Sequence, residues 1–189
     1  KIFMKLQVGL LGGGSWGTTV ASLTAKNAKT ILWARNKETV DEINNHHTNE
    51  KYLPDAKLTS SLRASTSIKE TVEDADVIVM GVPAQVFRQV LTEAKPYIRP
   101  WVPIINLAKG LEISTKMRIT EIIEEIMPGH PAGVLTGPNL AKEIHFGNAA
   151  AAVIAMVDKT IASKLQDVFS SGLFRVYTNS GRFSCNLFF

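Results

Sequence analysis

Short apolar runs alternate along this chain with stretches whose apolar residues recur at helical spacing. Val8-Gly9-Leu10-Leu11 is a buried-strand run ending in glycines, and Trp16, Val20 and Leu23 then recur at helical spacing. Thr30-Ile31-Leu32-Trp33-Ala34 reads as the next strand. Asp76-Val77-Ile78-Val79-Met80-Gly81-Val82 is the clearest strand, and its unbroken apolarity suits a parallel strand covered on both faces. Pro103 to Asn106 and Gly133 to Thr136 read as two more, with Ala150 to Ala155 and Phe174 to Thr178 as weaker candidates. Ile119, Ile122, Ile123 and Ile126 form one helical stripe that Pro128-Gly129 stops. Ile161, Leu165, Val168 and Phe169 form a second, ending near Ser171-Gly172. The polar stretch from Asn44 to Ser65, broken by Pro54, reads as a long excursion. Strands alternating with helices predict an α/β fold, a doubly wound and mostly parallel sheet covered by helices.

Composition narrows the class. The 189 residues suffice for one large domain, and 45% hydrophobic with 20% charged residues is ordinary for a soluble globular chain. The formal net charge is +4, but the 21 Lys and Arg are scattered, so no nucleic-acid partner is expected. No apolar stretch approaches a membrane span, and Lys1 to Lys5 does not read as a signal peptide. Cys185 is the one cysteine, which excludes an intrachain disulfide and fits a reducing cytoplasm. His46-His47, His130 and His145 make no zinc spacing, so no metal is expected.

The chemistry begins at Gly12-Gly13-Gly14-Ser15-Trp16-Gly17. Gly12, Gly14 and Gly17 spell G-x-G-x-x-G after a strand and at the opening of a helix, the context that makes this a dinucleotide fingerprint. Gly12 permits the tight turn, Gly14 admits the pyrophosphate and Gly17 lets helix and strand pack closely. The helix N-terminus then offers unpaired N–H groups to phosphate. A P-loop is excluded, since no Gly-Lys-Ser/Thr follows. The fold is therefore expected to be Rossmann-type, with NAD or NADP as cofactor. An NAD-specific site usually carries an acidic residue about 20 residues further on. Here the second strand ends in Arg35, which either accommodates a 2′-phosphate or stacks on adenine. Glu38 and Asp41 lie further on and remain candidates for the ribose diol.

Several motifs in order resemble the NAD(P)-dependent glycerol-3-phosphate dehydrogenases. They are Gly14 to Thr18, Leu32 to Arg35, Asn49 with Tyr52-Leu53-Pro54, Asp74-Ala75-Asp76, and Val82-Pro83-Ala84-Gln85 with Phe87-Arg88. Ala108-Lys109-Gly110-Leu111-Glu112, Leu135 to Glu143 and Phe174 to Asn179 complete the set. The resemblance implies an oxidoreductase of glycerol phosphate and phospholipid precursor metabolism. Hydride would pass between the nicotinamide and C2 of glycerol 3-phosphate or dihydroxyacetone phosphate. It implies that Ser15 and Trp16 contact the diphosphate region, Arg35 and Tyr52 the adenosine end, and that Phe87 and Ala141 touch the cofactor. Lys109 would face nicotinamide and substrate, with Gly137 and Asn139 helping to bind substrate. Two of these roles have separate support. Lys109 follows an apolar strand, at the carboxyl end where α/β folds bind ligands, though a turn-capping surface lysine has the same spacing. Asn139 follows another strand and either serves the same crevice or caps the short helix at Leu140.

Residues 1–179 follow the family and residues 180–189 do not. The family continues there into a helical substrate domain whose first helix carries the lysine general acid/base. The expectation is that this domain, the catalytic lysine and the phosphate pocket are absent from the chain, which leaves no catalytic residue in it. The tail contains no lysine. A cofactor-binding module without turnover is then one reading beside the dehydrogenase itself, and another two-domain 3-hydroxyacid or ketopantoate-type reductase is a third. Trp16, Lys109 and Asn139 argue against that third reading. The resemblance also implies a homodimer for the full-length protein.

Overall fold

A computed structural model describes residues 6–137, 141, 144 and 148–180. Eight strands form one sheet: β1 (Gln7–Leu11), β2 (Lys29–Trp33), β3 (Arg63–Ser65), β4 (Val77–Met80), β5 (Ile104–Asn106), β6 (Ala132–Thr136), β7 (Ala150–Met156) and β8 (Phe174–Asn179). The described helices are α1 (Ser15–Thr24), α2 (Lys37–His46), α3 (Ile68–Val72), α4 (Ala84–Ala94), α5 (Ile119–Ile126) and α6 (Lys159–Phe169). A 3₁₀ turn, Lys95–Tyr97, follows α4.

The strand order is β3-β2-β1-β4-β5-β6-β7-β8. Strands β1 to β6 are parallel, β7 is antiparallel to β6, and β8 is parallel to β7. The order reverses at β1, which lies between β2 and β4 with Leu11 beside both Trp33 and Met80. The sheet is thus Rossmann-type, doubly wound and mostly parallel, as the strand–helix alternation implies.

The continuous apolar runs have a direct cause. All of β1 and β4 is buried, and successive side chains enter opposite layers. Val77 and Val79 pack in the layer with Val20 of α1, Ile43 of α2 and Leu165 of α6. Ile78 and Met80 pack in the other, with Val72 of α3, Phe87 and Leu91 of α4, and Ile122 of α5. The Ile119–Ile126 stripe is the buried face of α5, and the Leu165–Phe169 stripe that of α6. The excursion is shorter than its sequence suggests, because α2 runs to His46 and Arg63–Ser65 pairs with β2. No described helix is long and apolar enough to cross a membrane.

Candidate functional site

The carboxyl ends of β1, β2, β4 and β5 open onto one cleft of about 630 Å³. That size suits a small-molecule or cofactor site. Its position, beside β1 where the strand order reverses, is where open α/β sheets bind ligands. Backbone bonds knit its floor: Gly12 N–H donates to the Trp33 carbonyl at 3.1 Å, Gly81 N–H to Leu11 at 2.7 Å, and Leu107 N–H to Met80 at 2.9 Å.

The glycine loop forms the near wall. Gly12 has φ +132°, a conformation L side chains rarely adopt, and a Cβ there would lie 2.5 Å from the Gly81 carbonyl group. A Cβ on Gly17 would overlap the Gly12 carbonyl oxygen. Those two glycines are demanded by the fold. Gly14 is different: its φ is −73°, and an added Cβ would meet nothing within 4 Å. It caps α1 with no side-chain hydrogen bond, so Gly14 itself satisfies none of the first-turn N–H groups of Ser15, Trp16 and Gly17 through a side chain. A cradle with a backbone that could carry a side chain, yet holds none, fits close approach by a ligand's pyrophosphate.

Asn49 fixes this loop from behind. It is fully buried, and its Nδ2 donates to the Gly13 carbonyl at 3.1 Å and to Thr18 Oγ at 2.9 Å. The Asn49–Leu53 turn then carries Lys51 and Tyr52 to the cleft, with the Lys51 ammonium 5.4 Å from the Tyr52 ring centre. Trp16 lines the cleft and also packs edge-on against Phe174 of β8, with ring centres 6.3 Å apart.

Of the residues expected at the cofactor, Gly12, Gly14, Ser15, Trp16, Gly17, Arg35 and Tyr52 all line this cleft. Phe87 does not. It is completely buried in the helix-side core, so it has no surface to offer a ligand here, and its neighbour Val86 forms that part of the wall. Ala141 packs against the other core layer. Lys109 is exposed and follows Ala108, a lining residue. Gly137 directly follows β6, where a Cβ would lie 2.9 Å from the Ala151 carbonyl oxygen, so close packing on β7 accounts for the glycine. Asn139 lies outside the described residues, as do 181–189 and with them Cys185.

Glu38 and Asp41 stay away from the cleft, and the Asp41 carboxylate pairs with Lys37 at 2.6 Å. Among the described lining residues none is acidic, while Arg35 and Lys51 are both cationic. Asn36, Thr39, Lys51, Val86 and Leu107 line the cleft although motif reading singled out none of them, and Val82 and Pro83, quoted only within a motif, line it as well. The rule that ligands sit at strand carboxyl ends pointed to Val82, Pro83 and Leu107, which follow β4 and β5.

A fold, a glycine cradle and a switch-point cleft of this kind define a dinucleotide-binding domain. The family model for the NAD-dependent glycerol-3-phosphate dehydrogenase N-terminus matches residues 7–162, and the chain belongs to that family. It is 56% identical over 184 residues to glycerol-3-phosphate dehydrogenase [NAD(P)+] 2 of Sphingopyxis alaskensis, covering 97% of this chain and 55% of the relative. It is 53% identical over 173 residues to the Mycobacterium avium glycerol-3-phosphate dehydrogenase [NAD(P)+], covering 91% of this chain and 51% of the relative. The crystal structure of the Coxiella burnetii glycerol-3-phosphate dehydrogenase superposes with a TM-score of 0.87 at 30% identity, over 95% of this chain and 55% of that one. The chain therefore spans about half the length of the relatives it matches. Family membership implies that it binds NAD or NADP.

Proposed function

We propose that this chain forms the cofactor half of an enzyme that exchanges hydride between NAD(P)H and dihydroxyacetone phosphate or glycerol 3-phosphate. The observation that carries the reading is the cleft at β1, with Gly14 open and serving as an N-cap that makes no side-chain hydrogen bond to α1. The bound dinucleotide supplies the hydride.

The residues of this chain hold and orient. The N–H groups of Ser15, Trp16 and Gly17 receive the pyrophosphate, and the positive end of α1 favours its charge. Trp16 shields that end of the cleft. Arg35 and Lys51 take the adenosine ribose end, where the absence of a carboxylate among the described lining residues admits a 2′-phosphate. Lys109 presents its ammonium beside nicotinamide and substrate, where it stabilises negative charge on the substrate oxygen. Gly137 and Asn139 complete the substrate side, and Ala141 touches the cofactor. Phe87 acts from the core, by supporting Val86.

No proton donor is assigned to residues 1–179 in this reading. The general acid and the ligands for the substrate phosphate belong to the part of the relatives that this chain does not span, and a homodimer is proposed for the whole enzyme. The test is calorimetric titration with NADPH and NADH beside an assay of dihydroxyacetone phosphate-dependent NADPH oxidation. Saturable cofactor binding supports the reading, and no binding of either cofactor contradicts it.

A further inference from the structure

Lys109 and Gly110 lie between two hydrogen-bonded anchors. On the near side, Asn106 ends β5 and is almost fully buried. Its Oδ1 accepts from Ala108 N–H at 2.7 Å and its Nδ2 donates to the Ala108 carbonyl at 3.0 Å. Both faces of the residue preceding Lys109 are thereby fixed. On the far side, the anchors come from α4. Gln85 Nε2 donates to the Leu111 carbonyl at 3.0 Å, and its Oε1 accepts from Ile113 N–H at 3.1 Å. One turn on, Arg88 grips the Glu112 carboxylate through Nε at 2.9 Å and Nη2 at 3.0 Å, and its Nη1 reaches Glu125 at 2.9 Å. Thr115 donates to the same Glu112 carboxylate.

Between these anchors Gly110 turns the chain with φ +85°. The backbone on both sides of Lys109 is thus anchored. The device is costly for a mere loop closure. Glu112 is 5% exposed, and an apolar residue of similar volume would avoid desolvating a carboxylate. Arg88 and Thr115 hold this carboxylate in one place, and with it the backbone at Glu112. The helix that carries Gln85 and Arg88 also presents Val86 to the cleft, so one rigid element sets both that wall and the loop.

We infer that Gln85, Arg88, Asn106 and Glu112 are positioning residues that hold the Lys109 ammonium at the nicotinamide end of the cleft. The inference rests on the proposed placement of Lys109 beside nicotinamide. Its effect belongs to one end of the ligand alone, which a general loss of folding would not reproduce.

The experiment is a comparison of dissociation constants for NADPH and for 2′-phospho-ADP-ribose, which lacks the nicotinamide. The variants are Lys109→Ala, Gln85→Ala, Arg88→Ala and the double variant Gln85→Ala/Lys109→Ala. Gln85 is surface-exposed, so its variant keeps the fold even where Arg88→Ala lowers the melting temperature. Lys109→Ala is expected to weaken NADPH about tenfold, the scale of one charge-assisted hydrogen bond, and to leave the analogue unchanged. Gln85→Ala and Arg88→Ala shift NADPH in the same direction, again without touching the analogue. The double variant loses no more than Lys109→Ala alone, because the two act through one group. Equal losses for both ligands, or full additivity in the double variant, would overturn the positioning role while leaving Lys109 where it is proposed. If Lys109→Ala itself spares NADPH, the placement of Lys109 fails and the inference falls with it.

Discussion

The side-chain amide of Asn49 donates to the carbonyl oxygen of Gly13 at 3.1 Å, tying the excursion after α2 to the glycine loop. The same nitrogen reaches Thr18 in the second turn of α1. A fully buried amide thus links the turn that carries Tyr52 to the glycine loop. Asn49→Leu leaves the half-buried Gly13 carbonyl and the buried Thr18 hydroxyl without this partner, which costs about 1–3 kcal/mol. The expected result is a lower urea midpoint together with weaker cofactor binding. A variant with wild-type midpoint and affinity would show that the link carries no energy.

The glycines of the loop should separate into two kinds. Gly17→Val forces a side chain into the Gly12 carbonyl and destabilises the domain by about 1–3 kcal/mol or more. Gly14→Val leaves the melting temperature close to wild type, because its backbone is ordinary and its Cβ meets open space. It nevertheless abolishes dinucleotide binding, by occupying the volume the pyrophosphate needs. Thermal melts paired with calorimetry distinguish the two, and a Gly14→Val protein that binds NADPH normally would remove the pyrophosphate from this place.

The two cations of the cleft, Arg35 and Lys51, bear on cofactor choice. Arg35→Ala and Lys51→Ala should each weaken NADPH more than NADH, since a charge-assisted bond worth about 1.5–3 kcal/mol is lost only with the 2′-phosphate. Arg35→Ala should lose roughly tenfold or more in NADPH affinity. Equal losses for both cofactors would mean that Arg35 stacks on adenine instead.

The Arg88–Glu112 contact predicts a pH dependence. The Arg88 hydrogen bonds, aided by Thr115, hold the Glu112 carboxyl below its ordinary value of 4.5, and Glu112 in turn raises Arg88. A carboxylate with a lowered folded-state pKa stabilises fully above its unfolded value, and that stability is lost as pH falls through the folded value. Wild type should therefore melt above Glu112→Gln at neutral pH, with the gap closing as pH drops below 4.5. A gap independent of pH would place the effect elsewhere.

Much of this was legible in the residues, for identifiable reasons. Val77 to Met80 announced a doubly covered strand because burial on both faces leaves no polar position. The glycine fingerprint announced the cleft because its steric demands are specific. Arg63–Ser65 was not legible: a three-residue strand with an exposed first position carries no periodicity, and only its pairing with β2 reveals it. The direction of β7 was hidden as well, since alanine-rich strands look alike in either orientation. Lys51 went unseen because an exposed lysine has no pattern of its own. Which face of α4 Phe87 takes was not legible either, because adjacency in a motif does not fix it; Phe87 takes the core face and Val86 the cleft.

The most direct test of the account is steady-state NADPH oxidation with dihydroxyacetone phosphate. It compares this chain with a form extended to the length of the family's relatives. Both forms are expected to bind NADPH, the longer form to turn over in strict dependence on dihydroxyacetone phosphate, and the chain alone to show little or no turnover. Equal rates in the two forms would contradict the assignment of the proton donor to the part of the relatives that this chain does not span. A long form that oxidises NADPH with a 3-keto acid and ignores dihydroxyacetone phosphate would contradict the proposed substrate itself.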